Sequence, residues 1–242
     1  NLNPFQVIQN ESVASVALPF GATTLRDTGY VFPEAAVGHN TYGLPGWTRQ
    51  ADVLRPLAPI LSARDDTFTI RTYGDPVLRT PGEPVREFGP ALRSLGDAML
   101  AAMRKAKGIG LAAPQVGLSL QLFVADVRDE EFTPLLDGRP VATDALMPML
   151  FANAEVTVPP GEPETYTEGC LSFPGVTGDV PRVERALVRF RDVDGAPRTL
   201  ECAGLLARCV QHEHDHCQGV LFIDRMTRAH QLLTATKVKK LQ

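Results

Sequence analysis

Residues 211–219 read QHEHDHCQG, and three of the chain's five histidines stand in this stretch. On a helix successive residues turn by about 100°, so His212 and His216, at i and i+4, project from one face and can converge on a single ion. His214 points away from that pair. Its spacing from Leu206 and Val210 puts it on the side expected to pack into the domain, as a packed or hydrogen-bonded residue rather than a ligand. Glu213, next to the first histidine, can reach a water held by the ion and act as a general base. A lone HxxxH pair reads as chance decoration of a surface helix. Glu in the second position and a further soft donor elsewhere favour a metal site.

HExxH is shared with zinc metalloproteases, which take a third ligand downstream, a Glu about twenty residues on or a His in an extended HExxHxxGxxH pattern. Here no Glu follows Glu213, His230 stands at the wrong spacing, and Asp224 lies too close behind the helix. The third ligand is therefore expected upstream, and the best soft donor there is a cysteine. A zincin-type endopeptidase stays as a disfavoured alternative.

Further out, GLLARCVQHEHDH (204–216) predicts one helix and 227–241 a basic, amphipathic second one. PALRSLGDAMLAAMRKAKG (90–108) sets Leu92, Leu95, Met99 and Met103 on one face, with Pro90 near the start and Gly108 at the C-terminal cap. Strands are predicted at 120–126, 151–158, 186–193 and around 199–202, with a turn at Asp194-Gly195; FTIRTYGDPVLR (68–79) predicts a short strand and a turn. The polar, proline-bearing run 128–149 reads as a long surface loop. Short strands with segregated helices give an α+β class: mixed or antiparallel strands around a central helix carrying the HExxH motif, with a C-terminal helix. Residues 1–64, with Pro4, Pro19, Pro33, Pro45, Pro56 and Pro59, read as an irregular extension packed on or wrapping a catalytic domain at 65–242.

Composition excludes several classes. A net charge of −4 with 44% hydrophobic residues gives no broad attraction to nucleic acid or membrane, and no run approaches the ~18 apolar residues of a membrane span. Cys170, Cys202, Cys209 and Cys217 are too few and too irregularly spaced for a disulfide scaffold, so a reducing compartment is expected. Arg228, Lys237, Lys239 and Lys240 form the one basic segment, either a solvated face or a ribosome-facing one.

Three motifs in order carry a family resemblance: GIGLAAPQ (108–115), EGCLS (168–172) and HEHDH (212–216), with DPVLR (75–79) and VPR (180–182) beside them. On these the chain, from about Thr67 to Met226, resembles the peptide deformylases. The resemblance implies removal of the N-formyl group from the initiator methionine of nascent chains, releasing formate. It implies one divalent metal ion per chain held by Cys170, His212 and His216, with Fe²⁺ the physiological metal and Zn²⁺, Ni²⁺ or Co²⁺ compatible with the same donors. Glu213 would be the base, and the Gln115 amide with the Leu171 backbone N–H would stabilise the oxyanion. Gly108, Ile109, Gly110 and Gly169 would flank a peptide added as an extra strand. Asp215 and Arg182 are expected to make an orienting ion pair or hydrogen bond rather than to act in catalysis.

His214 and Cys217 stand where the family more often has apolar residues, and Asn153-Ala154 where Asn-Pro is common. A non-catalytic relative that binds formyl-peptides or the ribosome stays as an alternative. Intact Glu213 and Gln115 argue against it. A monomer is expected. The reaction belongs to formyl-methionine translation; the extension and the 128–149 loop favour the mitochondrial matrix, with bacterial cytoplasm or a plastid as alternatives. The four arginines and four acids of residues 1–64 lack a transit-peptide signature, so any such peptide is expected upstream of Asn1.

Overall fold

The computed structural model describes residues 68–128 and 131–241, so the reading of residues 1–64 as an extension lies outside the described residues. The first α-helix among the described residues, α1 (Pro90–Lys105), begins with proline at the first turn and buries Leu92, Leu95, Met99 and Met103. Its end differs from expectation. Lys107, not Gly108, takes the left-handed conformation (φ 59°), and the Gly108 N–H closes back on the Met103 carbonyl at 2.9 Å. With the Lys107 N–H on Arg104 this is a Schellman ending, in which Gly108 is the residue beyond the cap and belongs to the cleft instead.

A seven-stranded sheet follows, built from β1 (Gly110–Ala112), β2 (Leu122–Ala125), β3 (Leu135–Leu136), β4 (Arg139–Pro140), β5 (Met149–Thr157), β8 (Arg185–Arg191) and β9 (Pro197–Ala203). Their order is β1-β2-β5-β8-β9-β3-β4, and every pairing is antiparallel. The alternation in RALVRFR explains β8: Ala186, Val188 and Phe190 are buried, while Arg185, Arg189 and Arg191 are exposed and Leu187 is half-buried. Phe151 stacks on Phe123 (4.6 Å between centroids) and meets Phe190 at a tilt (4.7 Å), joining three strands through one aromatic row.

The run 128–149 is not a simple loop. LLDGRP makes the β3–β4 hairpin, with Asp137 (φ 53°) and Gly138 (φ 76°) both left-handed as a two-residue type I′ turn requires. β3 adds to β9, and Asp137 fixes the join by accepting from Thr199 N–H (2.9 Å) and Arg198 Nε (2.7 Å). A short helix, α2 (Thr143–Leu146), completes the segment. The short strand predicted within 68–79 does not form; the backbone there bonds singly to separate partners, Arg71 N–H to Gln115 and Tyr73 N–H to Ser172.

A second sheet consists of β6 (Glu164–Gly169) and β7 (Thr177–Arg182), paired antiparallel. Helix α3 (Gly204–Cys217) carries the HExxH motif, its buried Leu206, Ala207 and Val210 packing into the core of the large sheet. It ends at Gly219, whose φ of 72° and approach to the Arg79 carbonyl (an added Cβ would lie 2.7 Å from that oxygen) leave room for glycine alone. The short α4 (Phe222–Arg225) and α5 (Arg228–Lys239) follow. A separate core of Leu78, Phe173, Val176, Val180, Leu221, Phe222 and Met226 seats the β6–β7 hairpin. On α5, Leu232 and Leu233 are exposed, so its amphipathicity is weaker than the sequence suggests. No described helix is long and apolar enough to cross a membrane.

Candidate active site

Helix geometry and the hairpin together assemble the site. His212 and His216 lie one turn apart on α3, and Cys170 follows directly on β6, which delivers its thiol to them. Cys170 Sγ lies 3.2 Å from His216 Nε2, and the donor atoms of Cys170, His212 and His216 all fall within 4.8 Å of one another. His212 Nδ1 is 3.0 Å from the Glu168 carboxylate. An ionised carboxylate only accepts, so Nδ1 carries the hydrogen and the Nε2 lone pair is left for an ion.

Glu168 is the hub of a buried charge network. Arg182 donates to it twice (2.7 and 3.2 Å) and Arg208 once (2.8 Å). Arg182 continues to Asp215 (2.9 Å), which also receives Arg225 (2.8 Å). Burial pushes the Glu168 carboxyl up, but His212 and Arg182 outweigh it and hold the group at about 2.

Glu213 faces the opposite balance. Its burial dominates the attraction of His212 and Arg182, and its carboxyl is pushed up to about 7. Its Oε2 and the His216 Nδ1 are buried without a hydrogen-bond partner among the described residues. Gln115, at the end of the Gly108–Gln115 motif, is 1% exposed. Its Oε1 accepts from the Ala112 N–H (2.8 Å), which turns the amide so that Nε2 points at Cys170 Sγ (3.5 Å) and Ser172 Oγ (3.3 Å).

A cleft of about 540 Å³ is lined by Gly108, Ile109, Gly110, Gln115, Gly169, Cys170, Leu171, His212 and Glu213, while His216 lies behind it. Gly110 is glycine for a reason the sequence does not reveal: an added Cβ would fall 2.8 Å from both Cys209 Sγ and Glu213 Cδ, and would also collide with Glu213 Oε1. Gly169, by contrast, has ordinary space around it. His214 is half-buried and borders a second cleft on the reverse of α3 with Asp215, Gln218 and Arg225; it stands outside the candidate ligand cluster and contacts the Gln218 amide (3.4 Å), as expected of a hydrogen-bonded residue, but does not continue the packed row. Each four-residue step advances the helix by about 40°, and two such steps from Leu206 turn His214 out of the core. Ser172 and Arg208 were not singled out from sequence; for Arg208 the signal was its place one turn before His212.

A family profile described as Polypeptide deformylase matches residues 67–232. A peptide deformylase of Opitutus terrae is 51% identical over 173 residues, covering 70% of this chain and 90% of its own length. One from Synechococcus sp. strain CC9605 is 44% identical, covering 74% of this chain and 84% of its own. Among solved structures, a Synechococcus elongatus peptide deformylase in complex with actinonin is 39% identical with a TM-score of 0.62, covering 74% of this chain and 91% of that one. A Plasmodium falciparum peptide deformylase is 32% identical with a TM-score of 0.62, covering 72% and 94%. Together with the three motifs meeting at one cleft, these matches show that the chain belongs to the peptide deformylase family.

Proposed function

We propose that the protein hydrolyses the formamide of N-formyl-methionyl nascent peptides, giving formate and a free amine. The observation that carries this reading is the convergence of the Cys170, His212 and His216 donors beside the partnerless oxygen of Glu213 and the oriented amide of Gln115. One thiol and two imidazoles fit a divalent transition metal, and three protein donors, with Cys170 and His212 lining the cleft and His216 behind them, match an open catalytic site rather than a closed structural one. Fe²⁺ is the proposed physiological ion, with Zn²⁺, Ni²⁺ or Co²⁺ able to use the same set. When bound, the metal supplies Lewis acidity and a water activated at neutral pH.

The chain's own residues do the rest. Glu213, poised near 7, takes the proton from the attacking water and returns it to the departing amine. Gln115 Nε2 and the Leu171 backbone N–H stabilise the charge that develops on the formyl oxygen. Among the described residues β1 has a neighbour on one side alone, and so does β6. These two edges border the cleft, which supports a substrate backbone that joins as an added strand past Gly108, Ile109, Gly110 and Gly169.

The reaction places the protein where translation begins with formyl-methionine. The bacterial and cyanobacterial relatives support a bacterial or plastid setting over the mitochondrial one. The exposed α5, with Leu232, Leu233 and its lysines, supports a ribosome-facing role, and a monomer is the proposed state. The test is release of formate and free amine from formyl-Met-Ala-Ser after anaerobic metal loading. Turnover abolished by chelator is the expected result. Tight binding of the peptide without turnover would instead indicate a non-catalytic relative.

A further inference from the structure

Glu168 receives two guanidinium groups, and they are not equivalent. Arg182 sits on β7 of the same hairpin as Glu168 and reaches α3 through Asp215. Arg208 sits on α3 itself and reaches the other way, toward the hairpin. Its Nη1 donates to Glu168 Oε1 (2.8 Å) and to the Val180 carbonyl (3.0 Å), and its Nη2 to the Glu164 carbonyl (2.9 Å). Its guanidinium also lies over the Tyr166 ring, 4.8 Å from the centroid. One side chain therefore ties both strands of the hairpin to the helix, and it does so on the cleft side.

The candidate ligands divide along the same line. Cys170 belongs to the hairpin, and His212 and His216 to α3. Among the described residues the two sheets share no strand, so no backbone ladder there fixes the distance from the thiol to the imidazoles. Beyond the apolar core that seats the hairpin, side-chain ties across the gap set it. The planar guanidinium fork presents donors in a fixed geometry that serves three acceptors at once, which a lysine ammonium on a flexible stem cannot reproduce. The geometry points to Arg208 as a positioning residue that sets the separation of Cys170 from His212 and His216, and through it how tightly the metal is held. This rests on the reading of those three residues as the ligands.

The test uses the full chain loaded with Co²⁺, whose thiolate absorption band reports the Cys170 bond directly, in wild type, Arg208→Met and Arg208→Lys. The rate of Co²⁺ loss to excess EDTA should rise about 10–100-fold in the Met variant, with a shifted thiolate band, since groups that orient metal ligands typically carry effects of that size. The Lys variant should fall between. A merely structural role would lower the unfolding midpoint while leaving release rate and band as in wild type, and that result overturns the proposal. If Arg208→Met does not fold, Arg208→Lys decides: release several-fold faster than wild type supports the tie, and an equal rate refutes it. A wild-type protein that takes up Co²⁺ without a thiolate band would sink the ligand assignment itself, an outcome separate from equal rates in the variants.

Discussion

Arg182 offers the sharpest test of the buried network, because its side chain is 5% exposed and makes three charge-assisted bonds, two to Glu168 and one to Asp215. Replacing it with Met keeps the volume and removes every donor. Breaking a buried ion pair from one side costs about 3–5 kcal/mol, most of it from the acids left behind. Here both acids keep another cation: Glu168 retains Arg208, together with the His212 N–H, and Asp215 retains Arg225, which is itself half-exposed. The loss should therefore sit near the lower limit, about 3 kcal/mol. With a urea m value of about 2 kcal/mol/M for a domain of this size, the midpoint should fall by about 1.5 M at unchanged m. A double-mutant cycle with Asp215→Asn should show coupling above about 1 kcal/mol. A midpoint shift under 0.5 M (~1 kcal/mol) would refute the view that Arg182 neutralises two buried carboxylates.

Three further outcomes follow from the site and its surroundings. Glu213→Gln should retain metal, measured by elemental analysis, while turnover falls about 10²–10⁴-fold; wild-type kcat would remove Glu213 from the role of base. Gly110→Ala should destabilise by about 1–3 kcal/mol and depress kcat together, since its methyl group displaces the Glu213 carboxylate; a stable, fully active variant would show that Glu213 has room to shift. Burial pushes the Cys202 thiol from 9.0 up to about 12, so the unfolded chain ionises first and stability falls as pH rises from 9 toward 12. At pH 10 the loss is about 1.4 kcal/mol relative to pH 7, and Cys202→Ala should flatten that part of the stability–pH curve; an identical slope in the variant would contradict it.

What the sequence disclosed depended on how local the determining forces are. Helix α1 was legible because Leu92, Leu95, Met99 and Met103 repeat at helical spacing, and β8 because RALVRFR alternates. The β6–β7 hairpin was not, since ETYTEG is mostly exposed and polar and carries no apolar alternation. In the β3–β4 hairpin, Asp-Gly was a turn signal, but two-residue strands containing Pro140 offer no pattern to read. For the site, the positions of His212, Glu213 and His216 came from helix geometry and the family motifs. The convergence of Arg182 and Arg208 on Glu168 joins residues 14 and 40 apart in the chain, which no local pattern encodes.

The two ends of the large sheet are unequal. One finishes in the tiny β3–β4 hairpin, where Pro140 lacks an N–H, and such an edge resists pairing with other chains. The other finishes in β1, three residues long, or about 10 Å of strand. Of β6, the other edge at the cleft, Thr167, Glu168 and Gly169 line it, so ladders of this length can read backbone for only about two or three residues of a guest peptide. Whatever follows is left to solvent, so the sequence downstream of the first residues has little say in recognition. A protein built this way is suited to treat the whole newly made proteome alike, its selectivity resting on the start of each chain.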